Sequence, residues 1–409
     1  MRNSGFLWIV LAIMVVLDVY VFQGIKWVSA SASNRWRTVI FWSYWTLSIG
    51  AVLSLLLMPY MDFLPFRKNN VYAIIIGLFI AKLIIAIFLS VDDIRRIIIW
   101  LTEKVRPATA RAVGEPISRS TFISWLGIAV GGGIFGSLLY GFNNKYNYQV
   151  KKVSLKYPNL PAPFKGLKLV HISDVHSGSF TDKKAVSKGI EKILSEKPDL
   201  ILFTGDLVND KATEMEHYQD LFSQLQAPMG VYSTLGNHDY GDYVQWPSPD
   251  AKKANLERLK QVHADMGWRL LMNEHVVFEK DGHSIALLGI ENWGAKGRFP
   301  KYGKMKEAYE GAGHHPFKIL MSHDPSHWDA EVRKEYKDID LMLAGHTHGM
   351  QFGVELPGFR WSPVQYMYEQ WAGLYEQENQ KLYVNRGFGF IGYPGRVGIL
   401  PEITVIELT

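Results

Sequence analysis

Residues 174–348 carry five short motifs, which read in order Asp174-Val175-His176, Gly205-Asp206, Gly236-Asn237-His238-Asp239, Ser322-His323 and Gly345-His346-Thr347-His348-Gly349. Together they supply two Asp, one Asn and four His side chains that can bind a metal ion, with His238 and Asp239 beside them. The chain contains no Cys, which excludes disulfides, Cys nucleophiles and thiolate metal sites. Nitrogen and oxygen ligands favour Mn, Fe, Zn or Mg over soft metals. The motifs therefore predict a hydrolase centre that holds two metal ions.

Each motif follows a short apolar run, and from residue 167 onward such runs alternate with amphipathic segments. The runs predict strands at Leu167–Ile172, Leu200–Phe203, Gly230–Thr234, Lys318–Met321, Leu341–Leu343, Leu382–Val384 and Ile403–Leu408. The amphipathic segments predict helices at Lys183–Leu194, Ala212–Leu225, Ala254–Met266 and Lys304–Glu310. The turn pair Asp281-Gly282 predicts a hairpin between Val276–Glu279 and Ser284–Gly289. This order indicates an α/β sandwich of two sheets, with the motifs converging at the carboxyl ends of strands.

The first third of the 409-residue chain is strongly apolar. Four apolar runs, at about 5–25, 39–61, 71–91 and 121–142, each approach the ~20 residues that a helix needs to cross a bilayer. The first run is a retained span, because three more follow it. We therefore predict a four-helix transmembrane region over residues 1–142. A polar tether over 143–166 follows, with one candidate strand at Tyr148–Leu155, and a catalytic domain occupies 167–409.

A few polar residues interrupt the apolar runs, among them Asp18, Gln23 and Lys82. Either they mark a polar path through the bilayer, or Lys82 and Gln23 pair inside the helix bundle or extend toward its edge. Charged and apolar positions interleave in Asp92–Val105 behind a pair of acids, which predicts a separate amphipathic helix (about 92–105) on the membrane surface.

The Lys and Arg residues near the spans indicate an orientation. Nine of them follow the first and third spans, and six lie on the opposite side. The positive-inside rule places the first and third loops in the cytoplasm, so the N-terminus and all residues after Phe142 are expected outside it.

The ordered motifs, the residues Met350-Gln351 after the last of them, and the tail from Leu382 (LYVNRGFGFIGYPGRVGILPEITVIEL) resemble one known family. They are similar to the calcineurin-like metallophosphoesterase superfamily, in particular its bacterial membrane-associated, YkuE-like phosphodiesterase branch. The resemblance covers Leu167 to the C-terminus. It implies a four-layer α/β/β/α metallophosphoesterase sandwich behind the four-helix transmembrane region. Family members commonly carry Gly where this chain has Met350.

The resemblance also implies a role for each motif residue. One divalent ion would be held by Asp174, His176, Asp206 and His348. Asp206 would bridge to a second ion, completed by Asn237, His323 and His346. A water between the cations would supply the nucleophile, His238 would protonate the leaving oxygen, and Asp239 would orient the His238 ring. Mn is the foremost candidate for both ions, with Zn, Fe or Mg as alternatives.

Three basic residues are candidates for holding a non-reacting phosphate: Lys296 and Arg298 in the Gly289–Phe299 loop, and Arg396 beside the Gly387–Gly395 loop. Solvated surface, or a structural ion pair for Arg396, is the alternative. The aromatic segment Phe359–Tyr375 either packs in the core or lies at the bilayer surface.

These observations predict a membrane-anchored two-metal phosphoesterase that cleaves a phosphodiester or pyrophosphate bond in a lipid-linked or membrane-proximal substrate. The lipid bilayer is its expected partner, and no nucleic-acid readout is expected; the sequence leaves the oligomeric state open. We expect a multi-pass protein of the bacterial inner membrane, with its catalytic domain on the periplasmic or extracellular side. Two alternatives remain. One is a UDP-2,3-diacylglucosamine pyrophosphatase-type lipid A enzyme with a cytoplasmic site, and the other is a non-catalytic membrane sensor that binds phosphoesters.

Overall fold

A computed structural model describes residues 4–58, 65–105, 119–297 and 299–409 of the chain. The chain divides into two compact units, Met1–Tyr140 and Gly141–Thr409. The first unit contains helices, which are α1 (Ser4–Val28), α2 (Asn34–Leu57), α3 (Pro65–Val105) and α4 (Arg119–Gly141). Within the described residues, four helical stretches are long and apolar enough to cross a membrane: Leu7–Val28, Asn34–Leu57, Asn69–Thr102 and Thr121–Asn144. The predicted four-helix transmembrane region is confirmed, with limits that differ by several residues.

The predicted amphipathic helix at 92–105 is not a separate element, because α3 continues through it to Val105. The paired acids Asp92 and Asp93 suggested a helix start, but both lie inside α3 and both have partners. Asp92 pairs with Arg95 at 3.0 Å and Arg96 at 2.8 Å, one turn further along α3. The Tyr20 hydroxyl of α1 donates to Asp93 at 2.7 Å. An acid in a helix interior is stable where such partners lie three or four residues away.

The buried charge in the first unit has a different partner from the one predicted. Lys82 forms an ion pair with Asp18 of α1 instead of Gln23, and it also donates to the Ser48 hydroxyl at 2.7 Å. The Tyr44 hydroxyl donates to the Asp18 carbonyl at 2.8 Å. Three helices therefore share one polar cluster, which compensates the cost of a charged pair among apolar side chains.

The second unit is built from two mixed sheets. Its strands are β1 (Gln149–Leu155), β2 (Lys168–Ile172), β3 (Leu200–Phe203), β4 (Val231–Ser233), β5 (Arg269–Leu270), β6 (Glu274–Lys280), β7 (His283–Gly289), β8 (Lys318–Met321), β9 (Leu341–Ala344), β10 (Val354–Leu356), β11 (Phe359–Trp361), β12 (Gly373–Gln377), β13 (Gln380–Val384) and β14 (Glu402–Leu408). One sheet has the order β1-β14-β2-β3-β4-β5 and the other β12-β13-β9-β8-β7-β6, while β10 and β11 form a separate hairpin.

The helices of the second unit are α5 (Lys183–Ser195), α6 (Gln219–Phe222), α7 (Pro249–Asp265), α8 (Met305–Tyr309) and α9 (Arg333–Glu335). The predicted helix at Ala212–Leu225 is only partly present: a 3-10 turn at Ala212–Met215 precedes the one-turn α6. Helix α7 begins earlier than predicted, because the Ser248 side chain accepts a hydrogen bond from the Ala251 backbone and caps it.

Three buried clusters define four layers. Apolar side chains of both sheets, such as Leu169, Leu202, Leu287 and Ile319, meet between the sheets. The outer face of the first sheet packs on α5 and α7, and that of the second packs on α8 and the turn at Trp328–Val332. The predicted four-layer α/β/β/α sandwich is confirmed.

The predicted tether is folded as part of the second unit. Its candidate strand forms β1, which pairs in parallel with β14 from Gln149 opposite Glu402 to Leu155 opposite Leu408. Tyr157, Leu160 and Phe164 then join the core between the sheets. Pro and polar residues suggested a free linker, but five apolar side chains of this stretch are buried: Tyr148, Leu155, Tyr157, Leu160 and Phe164.

The polar cluster of the first unit yields a stability prediction. Asp18→Asn leaves the Lys82 ammonium without its counter-ion, so the free energy of unfolding in detergent should fall by about 3–5 kcal/mol, the usual cost of breaking a buried pair. The double variant Asp18→Asn/Lys82→Met should recover much of this loss, measured as Tm by Trp fluorescence. Gln23→Leu is the control and should leave Tm unchanged; an equal loss there would contradict the assignment of the pair.

Candidate metal centre

The five motifs meet at one edge of the sandwich, because each follows the carboxyl end of a strand. Asp174, Asp206 and Asn237 follow β2, β3 and β4 of the first sheet within four residues. His323 and His346 follow β8 and β9 of the second sheet within two residues. The predicted convergence is therefore present in the structure, on the seam between the two sheets.

Asp174, His176 and His348 form the first group of candidate ligands. One donor atom from each lies within 4.8 Å of the others, and all three residues are buried. His348 Nε2 is 3.2 Å from Asp174 Oδ1 and 3.0 Å from His176 Nε2. Two imidazole nitrogens and a carboxylate oxygen thus point at one another, the donor set that a divalent transition metal prefers.

Asp206, His323 and His346 form the second group, again with donor atoms within 4.8 Å of one another. Asp206 Oδ2 is 3.1 Å from His323 Nε2 and 3.5 Å from His176 Nε2. The Asp206 carboxylate therefore lies between the two groups. His323 Nδ1 donates to the Thr204 carbonyl at 2.7 Å, which leaves Nε2 as the nitrogen that can bind a metal.

The side-chain oxygen of Asn237 fits a metal ligand. Oδ1 is buried and has no hydrogen-bond partner among the described residues, although buried amide oxygens are almost always paired. The amide nitrogen of the same side chain donates to the Tyr243 hydroxyl at 2.8 Å. This bond fixes the amide so that Oδ1 remains free for a cation.

The buried carboxylates make the site attract positive charge. Burial lowers the pKa of His176 to about 3, so its imidazole is neutral, as metal binding requires. Burial also opposes protonation of His323, but the charge and hydrogen bond of Asp206, the charge of Asp174 and the bond to the Thr204 carbonyl together outweigh it and raise the His323 pKa to about 10. The negative charge of these carboxylates favours a proton on His323, and a metal cation at this point would be stabilised by the same charge.

Five candidate ligands have a left-handed backbone. Their φ angles are 54° for Asp174, 48° for His176, 60° for Asp206, 69° for His346 and 50° for His348. Such non-glycine conformations cluster at functional sites and cost of order 1–3 kcal/mol each. Two neighbouring glycines are required for close approach: a Cβ on Gly236 would overlap the Asp206 carboxylate, and one on Gly345 would overlap that of Asp174.

The structure disagrees with the role predicted for Asp239. Its buried carboxylate accepts hydrogen bonds from the backbone N–H groups of Asp206, Leu207 and Gly236, each at 2.8 Å. It therefore holds the loop that carries Asp206 and does not touch the His238 ring. His238 Nδ1 instead donates to the Asn209 carbonyl at 2.8 Å, which orients the imidazole at the mouth of the site.

The three predicted phosphate-binding residues have different positions. Lys296 donates to the Met367 carbonyl at 2.6 Å and lies 5.5 Å from the Tyr368 ring centroid, close to the ligand His346. Arg298 lies outside the described residues.

Arg396 does not fit a substrate contact, because it is fully buried. Its guanidinium donates to the carbonyls of Arg386 at 2.7 Å and Gly387 at 3.2 Å, and to that of Gly389. One of its nitrogens is also 3.3 Å from His348 Nδ1. The Arg396 side chain therefore positions the candidate metal ligand His348 through its Nδ1 and its backbone carbonyl.

Sequence reasoning missed three residues that contact the candidate ligands. Tyr368 Oη is 3.0 Å from His346 Nε2, and the Asp324 carboxylate lies 3.7 Å from the same nitrogen. The Tyr243 ring centroid is 4.5 Å from that of His238. Asp324 directly follows the ligand His323, a signal that could have identified it; the two tyrosines lie in loops without a motif.

Two family models match the chain. One, described as a probable calcineurin-like phosphoesterase transmembrane domain, matches residues 1–145, and the other, described as a calcineurin-like phosphoesterase, matches residues 167–350. The transmembrane model thus precedes the phosphoesterase model along the chain.

Three relatives illustrate the range of similarity. A transmembrane protein with metallophosphoesterase domain from Danio rerio is 30% identical over 64% of this chain and 57% of its own length. The metallophosphoesterase YkuE of Bacillus subtilis is 28% identical over 68% of this chain and 95% of its own length. The UDP-2,3-diacylglucosamine pyrophosphatase LpxG of Chlamydia muridarum is 26% identical over 59% of this chain and 83% of its own length.

The matched region thus spans little more than half of the Danio rerio relative but nearly all of YkuE. Since the two models match in tandem and YkuE is among the relatives, the predicted resemblance is confirmed. The chain belongs to the calcineurin-like phosphoesterases, a family of metal-dependent phosphoric ester hydrolases, and carries the four-helix transmembrane domain ahead of the hydrolase domain.

Proposed function

We propose that the second unit hydrolyses a phosphodiester or pyrophosphate bond at a two-metal centre. One cation would be held by Asp174, His176 and His348 and the other by Asn237, His323 and His346, with Asp206 shared between them. The position of Asp206 Oδ2, 3.5 Å from a nitrogen of the first group and 3.1 Å from one of the second, carries this proposal. A carboxylate shared in this way can hold two cations about 3.5–4 Å apart.

When bound, the cations would neutralise charge on the phosphoryl oxygens and lower the pKa of a coordinated water. The protein residues determine where the substrate lies and where protons go. His238 is half-buried at the mouth of the site, and its Nδ1–H donates a hydrogen bond to the Asn209 carbonyl. Nε2 is therefore the nitrogen free to carry the proton that the leaving oxygen takes up, and the imidazole becomes neutral as that proton leaves. Lys296, near His346, is the candidate for holding a non-reacting phosphate.

The donor set supports the choice of metal. Four imidazoles with two carboxylates and an amide oxygen suit Mn, Fe or Zn, whereas Mg prefers oxygen ligands and keeps several waters. We propose Mn as the resident ion.

A lipid-linked or membrane-proximal phosphoester is the proposed substrate class. The four-helix membrane domain keeps the chain in a bilayer, and one relative, LpxG, is a UDP-2,3-diacylglucosamine pyrophosphatase. We propose that the chain lies in a bacterial inner membrane with the second unit outside the cytoplasm. The alternative, a lipid A enzyme of the LpxG type, requires a cytoplasmic site.

The metal proposal predicts about two divalent ions per chain by elemental analysis after loading with Mn²⁺. Asp206→Asn should lose both bound metal and hydrolysis of bis(4-nitrophenyl) phosphate, because the carboxylate contacts both groups. Asp265→Asn, on the exposed face of α7, is the matched control and should keep both properties. Full hydrolysis by Asp206→Asn would refute the centre, and metal binding without hydrolysis of any phosphoester by the wild type would favour the sensor alternative.

The role of His238 predicts a dependence on the leaving group. His238→Ala should keep its metal and lose about 10²–10⁴-fold in kcat/KM on an alkyl phosphodiester, whose leaving oxygen needs a proton. The loss should be much smaller with 4-nitrophenolate, which leaves without one. His217→Ala, an exposed histidine, is the control. An equal loss on both substrates would show that His238 does not act as the acid.

The orientation is tested by reporters fused after Thr409. We expect activity from alkaline phosphatase, which is active only outside the cytoplasm, and none from a cytoplasm-specific reporter such as β-galactosidase. The reverse pattern would place the site in the cytoplasm and favour the LpxG-type alternative.

A further inference from the structure

The exposed apolar residues of the second unit are concentrated in one segment. Among its described residues, eight large apolar or aromatic side chains are exposed, and six of them lie between residues 350 and 367. We call these six the apolar rim: Met350, Val354, Leu356, Phe359, Tyr366 and Met367. Phe359 is 56% exposed, Tyr366 77% and Met367 63%. A cluster of this kind marks an interaction surface, whereas single exposed apolar residues do not.

The β10–β11 hairpin turns its apolar face outward. Val354 pairs with Trp361 and Leu356 with Phe359, so these four side chains share one face. Glu355 and Arg360 share the other face.

The charged face of the hairpin is directed to the rest of the unit. Arg386, itself buried, donates to Glu355 at 2.8 Å, and Arg360 donates to the Ala372 carbonyl. Charged side chains are thus turned inward and apolar side chains outward, the reverse of the pattern expected in water.

The apolar rim is held in place next to the metal centre. The Ser362 hydroxyl donates to the Gly349 carbonyl at 2.8 Å, and the Thr347 hydroxyl donates to the Trp371 carbonyl at 2.7 Å. Thr347 and Gly349 flank the candidate ligand His348. The segment also packs on a small buried cluster of Val364, Tyr368, Trp371, Ala372 and Ile399. Its exposed side chains therefore belong to a folded part of the unit.

The base of the hairpin is bonded to the segment 395–397, and this segment is bonded to Gly141. Gly353 N donates to the Val397 carbonyl at 2.9 Å, and the Gln351 side chain donates to the Gly395 carbonyl at 3.1 Å. The next residue, Arg396, donates through its backbone N–H to the Gly141 carbonyl at 2.9 Å. Gly141 is the last residue of α4 and the first of the second unit.

We propose that the apolar rim contacts the acyl region of the lipid bilayer in which the four helices lie, and so presents the metal centre to phosphoesters at the headgroup level. A bilayer is the occupant that these observations favour, because the chain enters the second unit from a membrane-spanning helix at Gly141, and Arg396, which lies between the residues that hold the base of the hairpin, donates to Gly141. Its outward-facing Phe, Tyr, Leu and Met side chains match the apolar and aromatic residues that enter the headgroup–acyl boundary by about 5–10 Å.

The absence of native Cys allows a direct test on the full chain. Phe359→Cys would be labelled with an environment-sensitive fluorophore and the protein reconstituted in phosphatidylcholine nanodiscs, with or without bromine on the acyl chains. We expect blue-shifted emission that brominated lipids quench. Val277→Cys is the matched control, because Val277 is exposed and apolar but lies on β6 outside the rim; its label should not be quenched.

Equal quenching at the two positions, or none at residue 359, would overturn the proposal. A blue shift at residue 359 without quenching would mean that protein, such as a second copy of the chain, covers the rim, and it would overturn the proposal as well. The measurement needs no catalysis, and the same labels in a His238→Ala background should give the same result.

A second arm rests on the proposed function. In the same nanodiscs, Leu356→Ser/Phe359→Ser should lower kcat/KM for a lipid-borne phosphodiester, mainly through KM, and leave hydrolysis of soluble bis(4-nitrophenyl) phosphate unchanged. An unchanged kcat/KM on the lipid-borne substrate would contradict the role of the rim in presenting lipids. Failure of the wild type to cleave either substrate would refute the proposed function, while the quenching result would still decide whether the rim enters the bilayer.

Discussion

Buried carboxylates join the two sheets of the second unit at the site. Asp174 follows a strand of the first sheet, and both its oxygens accept from the His346 backbone N–H of the second sheet, at 3.0 and 3.1 Å. A carboxylate in a dry seam costs several kcal/mol unless donors and positive charge surround it. The His-rich loops meet this requirement, and a divalent cation would meet it more fully. The buried acids at the seam therefore hold the loops in place and also favour the binding of a metal cation.

The ligand loops depend on backbone bonds that hold them in an unfavourable conformation. Asp174 N donates to the Gly205 carbonyl at 2.9 Å, and His176 N donates to the Asp206 carbonyl at 3.1 Å. Asp239 secures the Asp206 loop from the other side through several backbone N–H groups. The strands and these bonds determine the conformation and hold the donor atoms close together. Such preorganisation lowers the ordering cost of binding.

The parts of the site that follow from local sequence were predictable, and those that follow from tertiary packing were not. Ligands at strand ends follow from strand periodicity and motif order, so Asp174, Asp206 and His323 lie where expected. Arg396 is basic and flanks a glycine-rich loop, which suggested phosphate binding; only the fold shows that carbonyls surround it. Adjacency in sequence also gave a wrong prediction. Asp239 is next to His238 in the chain, but its carboxylate bonds to the loop that carries Asp206. The Lys82–Asp18 pair joins residues 64 apart, and only the packing of helices shows it.

The second unit begins at Gly141, and this residue is bonded close to the site. Gly141 accepts from the Arg396 backbone, and the guanidinium of the same residue contacts the carbonyl and ring of the candidate ligand His348, at 3.4 and 3.3 Å. Within the second unit, Arg396 therefore links Gly141 to the candidate ligand His348. A few residues after Gly141, the strand β1 pairs with β14 at the edge of the first sheet. The hydrolase fold accordingly begins at Gly141 instead of Leu167, and a domain excised at the motif boundary would lack both an edge strand and the acceptor that secures Arg396.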